Sequence, residues 1–230
     1  MKQLLLDLGP DRPPTLENFV PGDNIELLAD IALFAAGRPP LPGAHFYLWG
    51  APGSGRSHLL QAAAARAREH GRPAFSIAAA EAAGNLPADK NALLAIDDIE
   101  QLSPPAQIAL FNAFNRARGN GQSLLLAGPA APRELGPALR EDLRTRIGQS
   151  LIFEVRPLDD TARTAILHAL AARRGLRLAD DVVGFMLNHG RRDLPSMAAA
   201  LGALDTASLE HKRPITLPLL RQLIQQGLRL

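Results

Sequence analysis

The chain has 230 residues, 47% of them hydrophobic and 21% charged, which excludes a disordered polypeptide and allows one sizeable domain plus a smaller one. It has no cysteine, so disulfides, a thiolate metal site and a cysteine nucleophile are excluded. The net charge is only +2, and the pI near 9.5 reflects cations that are nearly all arginine, so together with 4% aromatic residues it indicates neither a basic nucleic-acid footprint nor a base-stacking surface.

Residues 1–10 stand apart. Leucines 4, 6 and 8 alternate as in a strand or extended peptide, and Gly9-Pro10 and Pro13-Pro14 then break continuation into a domain. Two readings stand level: an edge strand, or a ligand for another protein's groove. Leu4-Leu5-Leu6 is too short for a signal peptide or membrane span, so a cytoplasmic location without a membrane partner is the default expectation.

Phe19 to Asn24 reads as a turn. Asp23 and Glu26 have capping-box spacing, and Ile25, Leu27, Leu28, Ile31, Ala32 and Ala35 form the apolar face of a helix. Beyond the Gly/Pro-rich loop 37–43, strands are expected at 45–49, 73–78, 92–96, 122–127 and 151–155. Helices at 56–70, 104–118 and 136–145 lie between them. Leu93-Leu94-Ala95-Ile96 and Leu124-Leu125-Leu126-Ala127 are continuously apolar, which predicts burial on both faces of a parallel sheet covered by helices. After Pro157 only helical patterns follow, at 159–173, 180–188, 192–208 and 217–226. The fold class is α/β, with a tail at 1–10, a base domain at 11–156 and a small helical lid at 157–230.

Between the first strand and the helix after it lies Gly50-Ala51-Pro52-Gly53-Ser54-Gly55-Arg56-Ser57. Its spacing is that of a P-loop, Gly-x-x-x-x-Gly-Lys-Ser/Thr, with Arg56 in place of lysine. Glycines let the backbone turn its amides inward and the helix N-terminus adds positive potential, which suits a diphosphate. Gly50, Pro52, Gly53, Ser54, Gly55, Arg56, Ser57 and His58 are the expected nucleotide-binding residues, with Ser57 supplying a hydroxyl to Mg²⁺. The strand before and the helix after disfavour a glycine-rich turn that binds nothing. About forty residues on, an apolar strand ends in Asp97-Asp98. Asp97 is suited to hold Mg²⁺ and bound nucleotide through water, and Asp98 to polarise an attacking water.

Phe19 to Asn24, Tyr47 to Leu60 and Ile96 to Glu100 together resemble the AAA+ P-loop ATPases of the replication initiator DnaA. The Trp-Gly lead-in, the P-loop arginine and the terminal Gln-Leu-x-Leu-x-Leu peptide are most similar to the shorter Hda-like regulators of that family. The resemblance runs over essentially the whole chain, without the helix-turn-helix domain with which DnaA binds duplex DNA, so direct sequence-specific DNA binding is not expected. It implies a five-stranded sheet with a helical lid, and bound ADP or ATP with Mg²⁺. It implies that Gln3, Leu4, Leu6 and Leu8 dock on the DNA polymerase III sliding clamp, and it tilts the tail toward a ligand. In Glu141 to Ile147 it implies a catalytic arginine finger at Arg146, with Arg144 competing, that acts on ATP held by DnaA. In Gly190 to Leu194 it implies a lid arginine at Arg192, with Arg191 competing, that reaches the phosphates. Homodimers or higher oligomers are left open. Two positions depart from the family. Ala127 stands where a polar group usually senses the γ-phosphate, and Arg56 replaces lysine. Both imply a site that holds nucleotide, ADP by preference, and hydrolyses it poorly, while Asp98 keeps a self-acting ATPase of clamp-loader or helicase-loader type as the alternative.

The six histidines show no metal-ligand spacing, and neither Ser54 nor Ser57 has an acyl-transfer partner suggested by sequence.

Overall fold

The computed structural model describes residues 13–37, 44–82, 84–191, 193–211 and 213–228. These fall into two compact units, Pro13–Pro157 and a helical one from Leu158 onward. Gln3, Leu4, Leu6 and Leu8 lie outside the described residues, as does Arg192.

The first unit is built on five strands: β1 (Phe46–Trp49), β2 (Ala74–Ala78), β3 (Leu93–Asp97), β4 (Ser123–Gly128) and β5 (Leu151–Glu154). All pair in parallel, in the order β2-β3-β4-β1-β5. The apolar runs are central strands as expected: all six residues of β4 are buried. By contrast β5 is an edge strand that leaves Leu151 and Ile152 exposed. One face packs against α1 (Ile25–Ala35) and α2 (Arg56–Glu69), burying Ile31, Phe34, Leu59, Leu60 and four α2 alanines, Ala62, Ala63, Ala64 and Ala67. The other packs against α3 (Pro104–Asn120) and α4 (Glu141–Gly148), burying Leu110, Phe114, Leu143 and Ile147. Trp49, at the end of β1, is partly buried against this second cluster.

Local sequence explains most boundaries. Helix α3 starts where Ser103 Oγ accepts from Ala106 N–H, has prolines in its first turn, and stops at Gly121 in the left-handed region. Two readings need correction. The first helix has no capping box at Asp23, because its N-cap is Asn24. The Asn24 side chain turns away from the helix: it donates to the carbonyls of Pro21 (2.9 Å) and Arg156 (2.8 Å) and accepts from Arg156 N–H (2.8 Å), tying the start of α1 to the chain just after β5. The expected helix at 136–145 is instead a 3-10 turn at Gly136–Ala138, two extended residues, and then α4. Buried Gln107 causes the break: its carboxamide donates to Leu102 and Ala138 carbonyls at 3.0 Å and accepts from Arg140 N–H at 2.9 Å. These bonds replace helical ones and set where α4 begins.

His45, just before β1, is a structural acceptor. Its Nδ1 receives Leu124 N–H at 3.2 Å and its ring meets Phe114 edge-on. Burial, reinforced by Arg118, pushes its pKa down to about 4. Because the folded value lies below the unfolded one, the contribution is complete above pH 6.5 and is lost as pH falls toward 4. Denaturant titrations at pH 7 and 4.5 should show a loss of up to about 3 kcal/mol that is absent in His45→Asn.

The second unit is α5 (Asp160–Arg173), α6 (Asp180–His189), α7 (Leu194–His211) and α8 (Leu217–Gln225), packed around Leu167, Val182, Met186, Leu201, Leu204 and Leu220. Asp159 caps α5 by accepting Ala162 N–H at 2.6 Å. Among the described residues no helix is long and apolar enough to cross a membrane.

Candidate nucleotide site

The glycine-rich turn lies at the C-terminal end of β1, where the parallel strands all point. Glycine is required here by space. A Cβ on Gly50 would lie 2.5 Å from Val155 O, and one on Gly55 would lie 2.7 Å from Phe19 Cε2 with φ at +101°. Gly53 is also left-handed, at φ +78°. No side chain caps the first turn of the 14-residue α2, so its leading amides are available to an anion. Ser54 Oγ and Arg56 Nη1 are both buried and have no hydrogen-bond partner. A closed turn with an unpaired hydroxyl and an unpaired guanidinium nitrogen fits a phosphate group.

Ser57 is exposed at the start of α2. The His58 Nε2–H donates to Thr15 O at 2.9 Å and its ring lies 5.4 Å from that of Phe19. Burial lowers its pKa, and the Thr15 bond opposes the shift. His58 thus fastens residues 15–19 over the P-loop, where Phe19 walls in Gly55.

Asp97 ends β3, its Oδ1 accepting Asp98 N–H at 3.0 Å. The ladder pairs Ile96 with Leu126, which puts Ala127, fully buried and without a polar group, beside Asp97. Asp98 is a non-glycine residue at φ +50°, a costly conformation. Its carboxyl pKa is raised by burial and by Asp97, and Arg56 opposes the rise.

Two further residues join this cluster without having been foreseen. Glu100, in the 3-10 turn Ile99–Gln101, has its pKa raised first by burial and then by Asp98, against Arg56, and its Oε2 is buried without a partner. Tyr47 donates its hydroxyl to Ala130 O at 2.6 Å. Burial and Glu100 raise its pKa, with Arg56 opposing. The acidic run Asp97-Asp98-Ile99-Glu100 was the available signal for Glu100. Nothing local singles out Tyr47. Among the described residues no three His, Asp or Glu side chains gather as a metal cage; a divalent ion would be held by Ser57 and Asp97 together with phosphate oxygens.

The two arginine-finger candidates share α4 but face different surroundings. Arg146 lies half-exposed, its guanidinium 5.7 Å from the Phe111 ring and donating to Asn115 Oδ1 at 3.2 Å. Arg144 lines an open pocket of about 310 Å³ with Pro132, Arg133, Glu141, Thr145 and Gly148, and its Nε is buried without a partner. In the helical unit Arg191 is exposed.

Residues 160–224 match the family model of the Hda lid domain. The whole chain is similar to domain III of the Thermotoga maritima replication initiation protein DnaA, with 21% identity over 96% of this chain and 99% of that one, at a TM-score of 0.73. AMPPCP-bound DnaA from Aquifex aeolicus is similar at 22% identity over 87% of this chain and 67% of that one, TM-score 0.71. A Thermotoga maritima RuvB mutant follows at 17% identity over 93% and 72%, TM-score 0.65. The fold is that of domain III of DnaA: a five-stranded parallel sheet flanked by helices, followed in the chain by a helical unit whose residues 160–224 match the Hda lid model.

Proposed function

We propose that this chain is a nucleotide-binding AAA+ regulator of replication initiation that stimulates ATP hydrolysis on DnaA and so limits re-initiation. The observation that carries the reading is the Hda lid match on a base with the DnaA fold. Gln3, Leu4, Leu6 and Leu8 dock the protein on the DNA-loaded sliding clamp: the glutamine amide bonds at the pocket rim and the leucines bury in the groove. Each buried leucine contributes about 1.5–3 kcal/mol before ordering costs, enough for a micromolar tether. Arg146 is offered to ATP on DnaA, where a guanidinium stabilises charge developing on the γ-phosphate.

In its own site the backbone of the P-loop, Ser54 and Arg56 hold the phosphates of ADP or ATP. Ser57 and Asp97 hold Mg²⁺, whose chemistry is to neutralise phosphate charge. From the resemblance to the family, Arg192 is assigned the role of the phosphate-sensing arginine. A cytoplasmic location follows from these partners. Purified protein and its cognate clamp provide the test: wild type binds in the micromolar range, and Gln3→Ala/Leu8→Ala weakens binding by about tenfold or more. Equal binding by both, or none by either, removes the clamp from the proposal.

Asp98 beside Asp97 supports a second reading, a self-acting ATPase of clamp-loader or helicase-loader type. Steady phosphate release that Asp98→Asn abolishes would favour it. Wild-type protein that shows no turnover with ATP and Mg²⁺ sinks it.

A further inference from the structure

Residues 13–19 form a strap with its own internal bonds. Thr15 N–H donates to Asn18 Oδ1 at 2.8 Å, Asn18 N–H donates to Thr15 Oγ1 at 3.2 Å, and Asn18 Nδ2 donates to Pro13 O at 3.2 Å. These reciprocal bonds fix the shape of the turn locally. Leu16 and Phe19 of the strap are buried in the same cluster as Leu59 and Leu60 of α2. Two polar contacts then clasp the strap to that helix: His58 Nε2 donates to Thr15 O at 2.9 Å, and Arg66 lies 3.6 Å from Glu17. The ion pair is solvent-exposed on both sides and contributes little. The histidine bond is partly buried beside the Phe19 ring, so it is the stronger clasp.

The strap presses on the phosphate turn itself. Phe19 Cε2 lies 2.7 Å from where Gly55 would carry a Cβ, so the ring sits directly on the left-handed residue that closes the turn. His58 directly follows Ser57 in the first turn of α2, where no side chain caps the helix. The clasp and the anion site therefore share one helical turn. With Thr15 released, Phe19 loses its support, and Gly55, with no side chain to restrict it, gains conformational freedom. Amides that must then be ordered around a phosphate hold it less long.

We propose that His58 is a positioning residue for bound nucleotide: through Thr15 it keeps Phe19 against Gly55 and so sets how long the phosphates stay in the turn. The proposal rests on the nucleotide-binding reading and adds to it the group that governs release.

The full chain, loaded with N-methylanthraniloyl-ADP and Mg²⁺ and chased with excess MgADP, gives the test as a release rate by stopped flow. His58→Phe keeps a ring beside Phe19 and removes the donor; it releases the probe about tenfold faster, with association within about twofold of wild type. Asn18→Ala loosens the strap through different bonds, away from the phosphate turn, and speeds release about threefold or more. His58→Gln carries a donor at similar reach and returns release toward the wild-type rate. Melting curves establish that each variant is folded, and His58→Ala removes the same donor should His58→Phe not fold. Unchanged release in the folded donor-less variant, or no recovery in His58→Gln, overturns the proposal and leaves nucleotide binding standing. Fast release in His58→Phe with wild-type release in Asn18→Ala also overturns it, because His58 would then act on the ligand directly. Wild type that takes up no probe overturns both readings.

Discussion

Arg146→Ala is expected to leave folding, nucleotide binding and clamp binding intact and to reduce stimulation of DnaA hydrolysis by about a thousandfold, the lower end of what arginine fingers supply elsewhere. Only a side chain acting in trans gives that combination. Arg146 is held at the surface by Phe111 and Asn115 of α3, and α3 itself fixes the start of α4 through Gln107. Its guanidinium is thus oriented before any partner arrives, which reduces the ordering cost at encounter. Arg146→Lys keeps the charge but loses the planar fork and the stacking, so it should recover little. The measurement is release of phosphate from ATP-bound DnaA in the presence of DNA-loaded clamp, with Arg144→Ala alongside. Full stimulation by Arg146→Ala, with loss in Arg144→Ala, would transfer the role to the arginine in the 310 Å³ pocket.

The second large effect concerns stability. Arg72 is only 5% exposed, yet among the described residues no carboxylate pairs with it. Its Nε donates to Asn91 O at 2.7 Å, Nη1 to Phe34 O at 2.9 Å and Ala35 O at 3.5 Å, and Nη2 to Ala92 O at 3.4 Å. Phe34 and Ala35 end α1, so a cation meets the negative end of that helix, and the guanidinium also lies 6.0 Å from the Phe34 ring. Burial lowers its pKa. Arg72→Met removes the charge but strands several buried carbonyls, at a cost of about 3–5 kcal/mol. In a chain of this size that lowers Tm by on the order of 10 °C. Calorimetry showing a fall of only one or two degrees would mean that water replaces the guanidinium.

The sheet and P-loop could be read from residues alone because their signals are short-range. Four- to six-residue apolar runs bounded by turns specify buried parallel strands, and the glycine spacing carries its own steric reason. The misread elements depend on distant partners. The Asn24 cap is defined by Arg156, and the start of α4 by Gln107, more than thirty residues upstream. Arg72 and Tyr47 gave no sign because a buried arginine or tyrosine looks the same in sequence as an exposed one. In the site, Asp97 and Asp98 were apparent from the strand that leads into them, whereas Glu100 lies beyond it in the Ile99–Gln101 turn. The bond from the His58 ring to Thr15 O is equally invisible in the sequence, since its partner lies more than forty residues away.

Trp49 is the only tryptophan in the chain, and it immediately precedes Gly50. Its carbonyl accepts Val155 N–H at 2.7 Å, and it pairs in register with both Gly128 and Glu154. The molecule therefore carries a built-in optical probe with no competing indole. Any event that reshapes the phosphate turn is open to detection in unlabelled protein as a change in the emission of one residue, and real-time kinetics of ligand entry and release need no engineered reporter.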